Sequence, residues 1–287
     1  MNLTRRLLMG GLAAAGFAAA WRSTNAEQAS SSLPHLSPEQ RARYEATRAR
    51  MMQALSYERV TIAGEHALAE WERLRAAGRG WPVVVGNDED LERIAEQFSL
   101  DDPNIFGVAG PGTSMRSPAQ ILSAAADIRF PQDLDRWSGA YRPEDLRAPL
   151  GEWPTKTDGG GPGLSVASDV VSGKSREKVH ILLVPAKHGW EVPAYLRWGG
   201  WNACPPPEYH VAALRRWGAR FGADLVGLNA DTMNLRVRAR PASRAQSLPL
   251  ARDMYRYCPD IVDQGVGSIS ALAAGLMASH WWYLWWD

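Results

Sequence analysis

Apolar and polar positions recur at helix or strand spacing over most of this chain. Val211, Leu214, Trp217 and Phe221 return at steps of three and four. That spacing predicts a helix led in by Pro205-Pro206-Pro207-Glu208 and ending near Phe221. Met233 to Arg238 alternates apolar and polar without a break, which predicts a strand with one face in water. Ala223 to Asn229 reads as the strand before it, and the short turn at Asp231-Thr232 makes the two an antiparallel hairpin. Trp81-Pro82-Val83-Val84-Val85 is a short β-branched run, hence a buried strand. His180–Val184 and Val192–Trp198 read as two more strands, and Trp281–Trp286 as a closing one. Alternation along that last strand puts Trp282, Leu284 and Trp286 on one face and Trp281, Tyr283 and Trp285 on the other. A strand apolar on both sides belongs in a sheet interior.

Helix signals fill the gaps. Ser37-Pro38-Glu39 opens a helix to about Leu55, with Ser as cap and Pro in the first turn. A second helix covers Glu65 to Ala76. Asn87-Asp88 caps a third, Glu89 to Phe98, and Ser117-Pro118 starts a short one ending near Ala126. Ser243 and Gln246 have capping-box spacing for a helix to Tyr257, although Pro249 allows a start near Ser247. Ser268 to Ala278 is the last helix. The pattern predicts an α+β fold: a mixed sheet with a split βαβ-like C-terminal core, helices mainly on one face, and a helical N-terminal region. Between 99 and 178 periodicity fades, and Pro and Gly accumulate, including Gly159-Gly160-Gly161-Pro162-Gly163. The expected organisation is a helix-rich α/β region over 37–150, a flexible Gly/Pro-rich loop over 151–177 and a C-terminal α+β domain over 178–287. Gly107-Val108-Ala109-Gly110-Pro111-Gly112 has the glycine content of a phosphate loop but no Lys-Ser/Thr after it, and reads as a turn.

The first 26 residues change this picture. Thr4-Arg5-Arg6-Leu7-Leu8 leads a Gly/Ala-rich apolar stretch to Ala20. A basic start, a short apolar core and small residues for cleavage make an export signal, and the paired arginines point to the twin-arginine route and a periplasmic location. The apolar core is too short to cross a bilayer. Cleavage is expected after Ala26, followed by a polar, disordered leader over 27–36. Removing Arg5, Arg6 and Arg22 with the signal takes the formal net charge of the 287-residue chain from +1 to −2. Such a balance gives no electrostatic reason to expect nucleic acid as partner, and no later stretch is apolar enough for a membrane span. Thirteen Trp predict an aromatic-rich core or an aromatic groove.

Several segments of the C-terminal half are distinctive: Trp190-Glu191-Val192-Pro193-Ala194-Tyr195-Leu196, Gly199-Gly200-Trp201-Asn202-Ala203-Cys204-Pro205, Tyr257-Cys258-Pro259-Asp260-Ile261-Val262-Asp263-Gln264-Gly265 and Trp281-Trp282-Tyr283-Leu284-Trp285-Trp286-Asp287. Together they resemble the bacterial family called domain of unknown function 4253, from about residue 178 to the end, with a weaker likeness through Trp81–Gly86. The resemblance implies no substrate and no catalytic residue.

Candidate chemistry gathers in the same half. Glu191, Asn202, Asp260, Asp263 and Gln264 fall at predicted strand ends or in Gly/Pro-rich turns. His210 lies in the first turn of its helix, and Trp201 stands beside Asn202. Loops and helix starts at one end of a sheet commonly build sites, and a carboxylate beside His210 would orient it as a base. The structural alternative is that turn Asn and Asp residues bond their own backbone. Cys204 and Cys258 form a candidate disulfide in an oxidising compartment. A zinc site from them and His210 has unusual spacing, so neither metal nor cofactor is expected. Asp287 needs water or a cation such as Arg236 or Arg197. The chain has no G-x-S-x-G elbow, P-loop or H-E-x-x-H motif. The first reading is a binding or interaction module for a small molecule or protein, using Trp201, Asn202, His210 and Asp260. The alternative is a hydrolase-like enzyme using His210 with Glu191 or Asp260. A third is a structural protein, favoured if all six polar residues are bonded internally.

Overall fold

Ser37 begins the described chain as the cap of α1 (Pro38–Ala54): its hydroxyl accepts from the Gln40 amide while the Gln40 side chain accepts from the Ser37 amide. The computed structural model describes residues 37–97, 116–137, 139–156, 163–169 and 172–287. The expectations for residues 1–36, Phe98, Gly107–Gly112 and 159–162 lie outside the described residues. The chain divides into two units, 1–49 and 50–287. The first contributes most of α1; everything below belongs to the second.

One six-stranded mixed sheet organises this unit, in the order β1-β3-β2-β4-β5-β6. Its members are β1 (Glu58–Ile62), β2 (Trp81–Gly86), β3 (Val179–Val184), β4 (Asp224–Leu228), β5 (Thr232–Arg236) and β6 (Trp281–Trp285). β2 and β4 are parallel, through Val84 and Gly227; the other neighbours are antiparallel. β2 therefore sits between β3 and β4, which a helical crossover joins. The core is split in that sense, with its two outer strands running in opposite directions. β2 and β3 are buried at every residue, as expected of near-continuous apolar runs; His180 is the polar exception in β3. β1 was not among the predicted strands; it is a short edge strand that leaves Glu58, Arg59 and Thr61 exposed.

The helices of this unit fall close to the predicted places: α2 (Ala67–Ala77), α3 (Asp88–Glu96), α4 (Pro118–Ala126), α6 (Pro207–Phe221), α7 (Arg244–Tyr257) and α8 (Ile269–Ala278). Reciprocal capping boxes start α3 (Asn87 with Asp90) and α4 (Ser117 with Gln120). α7 begins at Arg244 and runs through Pro249, but without the expected box. Ser243 makes no side-chain cap bond, and Gln246 accepts from the Ala242 amide instead.

Three sequence expectations are corrected. Val192–Trp198 is not a strand. Its first five residues form a short helix, α5 (Val192–Leu196), entered through a 3₁₀ turn at Gly189–Glu191. Pro193 has no N–H for a ladder but fits the first turn of a helix. The polar face of β5 is wet only at its end: Arg236 is exposed, but Asn234, on the same face, is as buried as Met233 and Leu235. Asn234 faces the 3₁₀ turn Ser165–Ala167 and accepts from the Val166 amide and the Ser165 hydroxyl. β6 is an edge strand and not an interior one. Its buried face, Trp282 and Trp286, packs edge-on against Trp217 and Phe221 of α6 and Tyr257 of α7. Arg236 points away from that face and pairs with Glu72 of α2.

Candidate functional site

His210 sits one turn into α6 and is fully buried. Its Nδ1 is hydrogen bonded to the Tyr257 hydroxyl, and its Nε2 lies 3.4 Å from Cys204 Sγ. The ring also bonds the Pro205 carbonyl, which only accepts, so the ring proton belongs on that side and Nδ1 accepts from Tyr257. Trp198 and Trp286 close around the imidazole edge-on. Burial pushes the His210 pKa down to about 3, against a small upward pull from the Pro205 carbonyl. The ring is thus a neutral, sealed hydrogen-bonding group. Neither Glu191 nor Asp260 bonds to it, so the expected histidine–carboxylate pair is not formed.

Burial also raises the Tyr257 hydroxyl and both thiols well above their ordinary pKa values. Cys204 and Cys258 are free and buried, so the candidate disulfide is not formed. Cys258 Sγ instead donates to the Trp285 carbonyl at 2.9 Å. Among the described residues no group of three or more His, Cys, Asp or Glu is placed to hold a metal ion.

The other predicted residues divide between a surface cluster and local turns. Asp260 precedes a π-helical turn, Ile261–Val266, which carries Asp263 and Gln264. Irregular turns of this kind are frequent at functional positions. Asp260 accepts from the Asp287 amide at 2.9 Å and from Gln264 Nε2 at 3.1 Å. Gln264 Nε2 also reaches Asp287 Oδ2 at 3.4 Å, and Asn202 Nδ2 donates to the Asp287 carbonyl at 3.2 Å. Asn202 thus meets Asp260 and Gln264, which share one turn, at Asp287. Trp201 stands at the rim, half-buried and edge-on to Trp198. Asp263 turns aside to accept from the Tyr255 hydroxyl at 2.9 Å. Tyr141 is exposed nearby; burial raises its pKa, helped by the charges of Asp260 and Asp263. Glu191 is not in this cluster. It accepts from the Lys187 and His188 amides and caps the turn before α5. Arg236, expected near Asp287, is held by Glu72.

Sequence reasoning missed Tyr257, and gave Asp287 a cation as partner where Asn202, Asp260 and Gln264 meet it. Nothing local marks Tyr257 as the partner of His210, 47 residues earlier; only the packing of α7 against α6 joins them. All six polar candidates are bonded inside the chain.

Residues 180–287 match the family model described as Domain of unknown function (DUF4253). No curated protein and no solved structure matches the chain. The DUF4253 region holds every candidate site residue and both cysteines. It supplies β4, β5, β6 and nearly all of β3, yet β2, from outside it, lies between β3 and β4. The DUF4253 region therefore does not form a continuous sheet by itself. Among the described residues no helix is long and apolar enough to cross a membrane.

Proposed function

We propose that the protein is exported by the twin-arginine route and binds a positively charged partner at the surface of Trp201, Asn202, Asp260, Asp263 and Gln264, without chemistry at that surface. One observation carries the reading. Asp260, Asp263 and Asp287 are bonded to amides and a hydroxyl, and among the described residues none lies within ion-pair distance of Lys or Arg. Carboxylates beside Trp201 and Tyr141 suit an ammonium or guanidinium group, which gains from both charge and aromatic faces. His210 is sealed beneath this surface, which removes it as an accessible base. Export is our reading of Arg5-Arg6 and the apolar stretch after them.

A structural role is the second reading, and a specific observation favours it: the internal bonding of all six polar residues. Native mass spectrometry of the protein recovered from its own host's periplasm separates the two. The binding reading expects an extra bound mass that is lost on Asp263→Asn or Trp201→Ala. A bare protein mass, or a bound mass indifferent to both substitutions, favours the structural role.

A further inference from the structure

At the opposite edge of the sheet from β6, three residues that sequence reasoning passed over are joined in line. Thr61 Oγ1, on edge strand β1, lies 3.0 Å from His180 Nδ1 on β3. His180 Nε2 lies 2.8 Å from Asp88 Oδ1, in the first turn of α3. Thr61 and His180 are direct cross-strand partners, so their side chains share one face. Thr61 is exposed, His180 is 4% exposed, and Asp88 is half-buried. Asp88 can only accept, so it fixes the ring proton on Nε2 and leaves Nδ1 free to take the threonine proton. A nucleophile bonded to a base, with the base oriented by a carboxylate, is the arrangement that activates a hydroxyl.

The same face carries a pocket. Tyr57, Arg59 and Thr61 point the same way along β1, and Leu182 stands opposite Arg59 as His180 stands opposite Thr61. Met52, Leu55, Tyr57, Arg59 and Leu182 line a cavity of about 160 Å³. Met52, Leu55 and Leu182 supply its apolar surface and Tyr57 and Arg59 its polar surface, its size suits a short acyl chain, and Arg59 is two residues from Thr61 on the same strand face. The charged groups facing His180 are Asp88, Arg59 and Lys178, and Lys178 is also paired with Asp88. Burial lowers the His180 pKa, while Asp88 raises it and Arg59 and Lys178 lower it. The ring is therefore a neutral base near pH 7.

We propose that Thr61, His180 and Asp88 form a hydrolytic site for short-chain carboxylic esters, with the acyl group in the cavity beside Arg59. Thr61 Oγ1 bonds to the ester carbonyl carbon and its proton passes to His180 Nδ1. The tetrahedral adduct collapses, the carbon–oxygen bond to the alcohol breaks, and that oxygen takes the proton from His180. Water then attacks the acyl-threonine, giving its proton to Nδ1, and the acid leaves as the proton returns to Thr61. Arg59 offers positive charge for the developing oxyanion. The sum is ester plus water to acid plus alcohol. This site is independent of the Trp201 surface, and neither proposal depends on the other.

The test is p-nitrophenyl acetate hydrolysis by the full chain, with acid-quenched samples mapped by peptide mass spectrometry. The expected result is release above buffer, an acetyl group on Thr61, and a rate loss of about 100-fold or more in His180→Ala. Thr61→Val loses the adduct and the rate, and Thr61→Ser, the folding-safe control, keeps both. Met52→Trp, which fills the cavity, lowers the rate on p-nitrophenyl butyrate more than on the acetate. Release no faster than buffer, acetylation on other residues only, or equal rates in wild type and a folded Thr61→Val overturns the proposal. If Thr61→Val does not fold, an acetyl-free Thr61→Ser overturns it as well.

Discussion

The Tyr257 hydroxyl and His210 Nδ1 are hydrogen bonded at a point where Tyr257 is 1% exposed and His210 not at all. Each satisfies a group that would otherwise be stranded in an aromatic core. That pairing makes His210 a stability element that depends on staying neutral.

Stability should therefore fall with acid in a way that His210 controls. Its folded pKa, about 3, is below the ordinary 6.5, so the unfolded chain binds the proton more readily. The contribution is complete above pH 6.5 and is lost as pH falls from there toward 3. The slope approaches about 1.4 kcal/mol per pH unit, or roughly 2 kcal/mol between pH 6.5 and 5. Urea midpoints for wild type and His210→Gln should converge as pH drops. Parallel lines would show that His210 does not carry the effect.

Both thiols should be silent in the folded protein. Cys204 and Cys258 are buried, and burial raises their pKa values, so little thiolate is present or reachable. A thiol reagent such as dithionitrobenzoate should react slowly in buffer and then with two thiols in denaturant, without reductant. No reaction in denaturant until reductant is added would mean a disulfide.

Gly199 should tolerate no side chain. Its φ is +112°, and an added Cβ would fall against the Pro205 carbonyl oxygen and the His210 ring. Neither obstacle can move without breaking the His210 network. Gly199→Ala is expected to cost about 3 kcal/mol or more in thermal or urea unfolding, combining strain and overpacking. Gly200→Ala has positive φ (+87°) but open space, with only Pro206 Cα at 4.0 Å. It should cost about 1–2 kcal/mol, and equal losses would refute the steric argument.

Asn234 should hold the Ser165–Ala167 turn on the sheet. Its side chain bonds the Val166 amide at 3.1 Å and exchanges bonds with the Ser165 hydroxyl. Asn234→Ala leaves that amide unpaired and buried, a cost of about 1–3 kcal/mol. Limited proteolysis should then cut faster within 151–177. An unchanged cleavage pattern would mean that the turn is held by Val166 and Ala167 packing alone.

The pattern of this sequence determined most elements by itself. Local signals suffice for them: short apolar, β-branched runs for β2 and β3, Asn87 and Ser117 caps for α3 and α4, and helical spacing from Val211 to Phe221 for α6. The resemblance from residue 178 onward was also legible, because it rests on contiguous Trp-, Gly- and Pro-rich segments. What tertiary structure decided were matters of partnership. Alternation along β5 says which residues share a face, but not that Ser165 and Val166 cover its polar one. A doubly apolar β6 looks interior by pattern, yet sheet order placed it at an edge. Val192–Trp198 reads as strand until Pro193 and the Glu191 cap are set in a helical turn. At the candidate sites, the sequence named His210, Asn202, Asp260 and Gln264, but His210 bonds to Tyr257 and not to Glu191 or Asp260. Hydrogen bonds between residues such as Thr61 and His180, 119 positions apart, depend on which strands become neighbours. That choice follows from burying the whole apolar surface at once, and no local stretch of sequence contains it.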